Sequence, residues 1–139
     1  MPLYSCNAKT GAIPEAAKAK IAQDITDIHC DVTGAPPTFV HTFFFEEAAH
    51  QPLGDHTAFL FGQIRSGRTE EQKQDIRERM AASISTHAGI PINQILVTTT
   101  DTPASWVMEG GDLLPEPGEE AAWLAVHKAK LAAAQKATA

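Results

Sequence analysis

Proline stands at position 2, directly behind Met1. A residue that small allows an initiator methionine to be cleaved, and cleavage leaves a secondary amine on a rigid ring at the start of the chain. A free α-amino group titrates at about 7.7–8.0, and burial or nearby cations lower that value. Such an amine takes and returns protons near neutral pH, which is the work of a general base or acid. With Met1 kept in place, the same nitrogen is an amide without basicity, and Pro2 is then a proline of no chemical consequence.

Arg65 and Arg68 come next, in Ile64-Arg65-Ser66-Gly67-Arg68-Thr69, where a strand gives way to a helix. The N–H groups of a helix start attract anions. Two guanidinium groups there can hold a carboxylate through bidentate, charge-assisted bonds. Cations at the positive end of a helix oppose its dipole, so an anion is expected to join them; two solvated arginines on a turn are the competing reading. His29 lies between Ile28 and Cys30, one position off an apolar stripe, where a structural histidine competes with a substrate-contacting one. Glu109, in Trp106-Val107-Met108-Glu109-Gly110-Gly111, has apolar and glycine neighbours. Apolar surroundings raise a carboxyl towards acid–base work, whereas a solvated loop leaves it an ordinary acid. The remaining histidines, His41, His50, His56, His87 and His127, are scattered. Glu46, Glu47, His50 and His56 come nearest to a metal set, but no H-E-x-x-H spacing supports one, and no metal is expected.

These groups sit in 139 residues, 43% hydrophobic and 20% charged, which suits one globular domain over 1–139. The formal net charge of −6 repels polyanions, so nucleic acid and anionic membrane surfaces are not expected partners. No apolar run approaches the roughly 20 residues of a spanning helix. The N-terminus lacks the basic and apolar regions of a signal peptide. Two cysteines, Cys6 and Cys30, suit a reducing, cytoplasmic setting.

The elements that must position the candidates repeat. Residues 2–8 alternate as a strand, and Pro14 suits the first turn of a helix. Ile21, Ile25, Ile28 and Val32 form one helical face, which Gly34, Pro36 and Pro37 end. Residues 38–46 predict a second strand, and a loop with Pro52 and Gly54 follows. Residues 57–65 predict a third strand. Thr69-Glu70-Glu71-Gln72 reads as a capping box ahead of Ile76, Met80 and Ile84. Gly89 and Pro91 close that helix, and 95–100 supply a fourth strand. The reading is an α/β fold of two tandem β-α-β units, about 2–46 and 57–100, forming a four-stranded mixed sheet with both helices on one face. The other face is expected to meet a partner subunit. In the C-terminal extension, 101–118 predict a loop with one short turn around Ala104–Glu109. Residues 119–136 predict a helix carrying Trp123, Val126 and Leu131, its end frayed or packed on a neighbour. Phe39, Phe43, Phe44, Phe45, Phe59 and Phe61 are expected to include core residues.

Pro2, the tandem units and the paired arginines occur with Ile25-Thr26-Asp27-Ile28-His29, Thr33-Gly34, Pro103-Ala104 through Glu109-Gly110, Pro115-Glu116-Pro117-Gly118 and Trp123, in that order. The set resembles the tautomerase superfamily and, within it, the cis-3-chloroacrylic acid dehalogenase family. The resemblance implies a homotrimer whose sheets line a central barrel-like core, with active sites near subunit boundaries. It implies that an unmasked Pro2 transfers protons, that Arg65 and Arg68 bind a substrate carboxylate, that His29 helps bind or polarise the substrate, and that Glu109 positions or activates water. The family pairs the glutamate with a tyrosine, and the matching place here is Thr98.

A threonine hydroxyl is neutral, of high pKa and on a short side chain, so it is poorly suited to activating water. Losing one member of a coupled group removes most of its chemistry. Keto–enol tautomerisation asks only for a proton-shuttling amine and a hold on the carboxylate. The expected activity is therefore a cofactor-independent tautomerase acting on small 2-oxo acids such as phenylenolpyruvate. The alternatives are a cis-3-haloacrylate dehalogenase or hydratase, and a trimeric binding protein with vestigial turnover, a class that macrophage migration inhibitory factor represents in the superfamily.

Overall fold

The computed structural model describes residues 1–46 and 53–138. Pro52, Glu47 and His50 lie outside the described residues. The main elements are β1 (Leu3–Ala8), α1 (Glu15–Thr33), β2 (His41–Glu46), β3 (Ala58–Arg65), α2 (Glu70–Ala88), β4 (Ile95–Thr102), the short strands β5 (Met108–Glu109) and β6 (Asp112–Leu113), and α3 (Glu120–Thr138).

Local chemistry sets the helix ends. Pro14 caps α1, whose Ile21, Ile25 and Ile28 are buried, and Gly34 closes it in the left-handed conformation with its N–H on the Cys30 carbonyl. Thr69 Oγ1 accepts from Gln72 N at 3.1 Å while Gln72 Oε1 accepts from Thr69 N at 2.9 Å, which completes the expected capping box of α2.

The sheet order is β2-β1-β3-β4, with β1–β2 and β3–β4 parallel and the central β1–β3 pair antiparallel. This is the two-unit mixed sheet that the repeat predicts. Tyr4, Cys6, Leu60 and Ile64 turn to the helices and meet Ile21, Ile25, Ile76, Met80 and Ile84 in the main core. Each isoleucine, leucine or methionine among them contributes about 1.5–3 kcal/mol by leaving water. The opposite face carries Ser5 in register with Phe43 and Phe61, and Asn7 with Phe45 and Phe59. Phe43 and Phe45 are each 48% exposed there. Of the six phenylalanines, Phe39 is fully buried and Phe44 packs against the main core; the rest stand on the uncovered face.

Several boundaries differ from the pattern. The strand expected over 38–46 begins at His41, because Pro37–Phe39 form a 3-10 turn whose Val40 N–H bonds the Pro37 carbonyl. That turn swings Phe39 into a second core with Met1, Ala104 and Leu114, bordered by Leu3, Val107, Trp123 and Leu124. β4 continues to Thr102 because β3 offers Ile64 and Arg65 as partners for Asp101 and Thr102. The extension holds the expected short turn, as a 3-10 turn over Ala104–Trp106, but the residues after it form the β5–β6 hairpin where loop was expected. Among the described residues, no helix is long and apolar enough to cross a membrane.

Candidate active site

The chain start, α1, the β3–α2 turn and the C-terminal extension converge at one end of the sheet. Pro2 is fully buried, and with Met1 attached its nitrogen is an amide. The Met1 ammonium lies 3.2 Å from Glu109 Oε2. Burial lowers the pKa of that ammonium, and Glu109 only partly offsets the effect. Glu109 Oε1 stands 3.3 Å from His41 Nε2.

Glu109 reaches this place on the β5–β6 hairpin. Gly110 there has φ +60°, and a Cβ at that position would collide with the His127 ring. His127 is held by Asp112 at 2.9 Å and by stacking on Trp123 at 4.5 Å between ring centres. Thus α3 fixes the turn that carries the acid.

His29, 1% exposed, shares a 2.8 Å hydrogen bond between its Nδ1 and the Tyr4 hydroxyl. Burial, followed by the charges of Arg68, Arg65 and the N-terminus, pushes the imidazole pKa down to about 3. The ring is therefore neutral near physiological pH. Burial also raises the Tyr4 phenol above its ordinary value. Together they form a neutral pair facing positive charge.

The two arginines do different things. Arg65, 1% exposed, donates from Nη1 to the Pro115 carbonyl at 2.5 Å and from Nη2 to Glu120 Oε1 at 2.8 Å. Its guanidinium also sits 5.3 Å from the centre of the Phe39 ring. The anion expected at this helix start is thus partly internal: Glu120, the first residue of α3. Burial pushes the Glu120 carboxyl up, but the Arg65 hydrogen bond and backbone N–H groups outweigh it, leaving a net lowering.

Arg68 donates one weak bond, from Nη1 to the Thr33 carbonyl at 3.3 Å. Its Nη2 lies 4.0 Å from Glu120, beyond hydrogen-bond reach, and its buried Nε and Nη2 have no hydrogen-bond partner among the described residues. Burial and the neighbouring Arg65 lower its pKa. Buried guanidinium donors left open are what a bidentate anion would fill.

Thr98 stands apart from the other candidates. It pairs with Phe61 on the uncovered face of the sheet, and its Oγ1 is buried without a partner among the described residues. Cys6 is buried with its thiol pushed up to about 12, and Cys30 is half-buried; both are free. Among the described residues, no three His, Cys, Asp or Glu side chains gather closely enough to hold a metal ion.

Comparison with known proteins decides the family. A family model described as "Putative oxalocrotonate tautomerase enzyme" matches residues 1–128. The chain belongs to this tautomerase family. A solved structure described as N1, a member of the cis-3-chloroacrylic acid dehalogenase family, is 30% identical, with a TM-score of 0.79 over 88% of this chain and 90% of that one. A relative from Lactococcus lactis, described as a "Probable tautomerase", is 39% identical over 55 residues, which is 40% of this chain and 90% of the relative. A match of that length spans about one β-α-β unit, in keeping with the tandem architecture. A fused 4-OT symmetric trimer shares the fold, at 22% identity and a TM-score of 0.71 over 81% of this chain and 94% of that one.

Tyr4, Gly62, His41 and Glu120 escaped the sequence reading. Tyr4 has no chemical signal beyond its place in the alternating strand over 2–8, and His41 is one of several scattered histidines. Gly62 and Glu120 gave no signal, since their roles depend on contacts across the sheet and across 55 residues of chain.

Proposed function

We propose that this tautomerase family member, once Met1 is removed, interconverts the enol and keto forms of small 2-oxo acids without a cofactor, using Pro2 as the proton carrier. In ketonisation the neutral Pro2 amine takes the enol O–H proton. The C=C electron pair then accepts a proton at C3 from the prolinium as the C–O bond becomes C=O. Arg68 holds the carboxylate. Neutral His29, its Nδ1 engaged by Tyr4, presents Nε2 to the substrate oxygen. Glu109 tunes the amine: as for the Met1 ammonium, burial and Arg65 favour its neutral form, and the carboxylate restrains that shift.

The observation that carries the reading is Arg68, a buried guanidinium with two open donors beside the Tyr4–His29 pair. Substituting Pro2→Ala should abolish ketonisation of phenylenolpyruvate while the assembly stays intact; retained turnover would remove Pro2 from the mechanism.

The assembly is a homotrimer in this reading, supported by the exposed Phe43 and Phe45 on the uncovered sheet face and by the trimeric fused 4-OT relative. Free Cys6 and Cys30 accord with a reducing cytoplasm. Hydration of cis-3-haloacrylates is the second reading. Glu109 favours it: its carboxylate lies 3.2 Å from the nitrogen of Met1, the residue bonded to Pro2, and a carboxylate at that place supports a protonated Pro2 amine once Met1 is gone. Thr98 counts against it, and release of halide by the purified protein would promote it.

A further inference from the structure

The Met1 side chain is not loose at the surface. It is buried with Phe39, Ala104 and Leu114, bordered by Val107 and Trp123, while its ammonium reaches Glu109. The residue is bonded to the Pro2 nitrogen, so its side chain marks a space that begins beside the atom proposed to carry the proton. The walls are braced independently of Met1. Phe39 is held edge-to-face by Trp123 at 5.3 Å, lies 5.3 Å from the Arg65 guanidinium, and is anchored by the 3-10 turn behind the two prolines. Trp123 Nε1 donates to the Leu113 carbonyl at 2.6 Å and its ring stacks on His127. Removing Met1 therefore takes away an unbranched, flexible chain and leaves its rigid apolar surroundings.

We infer that the space of the Met1 side chain becomes the tail slot of the mature site, selecting straight-chain 2-oxo acids whose chain beyond C2 has about the length of a methionine side chain. This rests on the tautomerase reading for its chemistry but not for its binding. The slot excludes water between Phe39, Ala104 and Leu114, so each tail methylene adds affinity. An aryl ring is wider than the unbranched chain that the braced walls enclose, and it fits less well.

The test uses the protein lacking Met1, confirmed by intact mass, with pyruvate, 2-oxobutanoate, 2-oxopentanoate, 2-oxohexanoate and phenylpyruvate as probes. Exchange of the C3 hydrogens in D2O, read by NMR, gives turnover, and titration calorimetry gives binding. Efficiency and affinity should each rise about fourfold per added methylene up to 2-oxohexanoate, and 2-oxohexanoate should exceed phenylpyruvate. Ala104→Leu, which narrows the slot, should lower the ratio of 2-oxohexanoate to pyruvate at least tenfold. Turnover that is flat or falling with length overturns the slot and leaves the tautomerase reading standing. Binding that rises with length without any exchange upholds the slot and overturns the tautomerase. The series on the unaltered mature chain decides the matter even where Ala104→Leu fails to fold.

Discussion

Tyr4 and Gly62 face each other across the central antiparallel strands, and the absent side chain of Gly62 is what lets the Tyr4 ring lie over the sheet to reach His29. A Cβ at Gly62 would stand 2.6 Å from the Tyr4 ring. Gly62→Ala should therefore displace the ring and cost about 1–3 kcal/mol of stability through overpacking. Urea unfolding measures this, and a change within about 0.3 kcal/mol would mean that the strands part freely.

His29 makes stability depend on acid. Its pKa is about 6.5 when unfolded and about 3 when folded. Between those values the unfolded chain holds a proton that the native ring refuses, so stability is complete above pH 6.5 and falls as pH drops towards 3. The urea midpoint should decline across that window in the parent protein. His29→Asn should flatten the decline, and an equal slope in both would place the titration elsewhere.

Arg65 and Arg68 should separate under substitution. Arg65 joins Pro115 and Glu120 and so ties α3 to the sheet. Arg65→Ala leaves Glu120 without its buried partner and should cost about 3–5 kcal/mol. Arg68→Ala removes a guanidinium whose donors are mostly open, so it should leave the fold in place and raise KM for a carboxylate substrate by at least tenfold. Thermal unfolding paired with steady-state kinetics distinguishes them; equal effects on both readouts would merge their roles.

Phe43 and Phe45 test the assembly. Phe45→Glu places a charge on the exposed aromatic face and should shift the protein from trimer to monomer in sedimentation. A monomeric parent would overturn the trimer directly.

Much of the fold could be read from periodicity. The stripe of Ile21, Ile25 and Ile28, the capping box at Thr69 and the strand alternation over residues 2–8 each depend on neighbours a few residues away, and each stands where the pattern places it. The β5–β6 hairpin and the Phe39 turn were not legible, because two-residue strands and 3-10 turns of this kind take their stability from tertiary contacts with α3 and Arg65 rather than from local pattern. In the site, residue types named Pro2, His29, Arg65, Arg68 and Glu109 as candidates. They did not reveal that Glu120 already engages Arg65, since nothing near either residue in the chain records a pairing 55 positions apart. Thr98 was placed by resemblance, and strand parity puts it on the opposite face of the sheet from Tyr4.

The central claim is that a free Pro2 amine moves the proton. The most direct measurement is intact mass followed by phenylenolpyruvate ketonisation on the same sample. The expected result is a chain lacking Met1 that ketonises the enol, with activity lost as falling pH protonates the amine. A chain that retains Met1 and still turns over at full rate, or one that lacks Met1 and does not turn over at all, would contradict it.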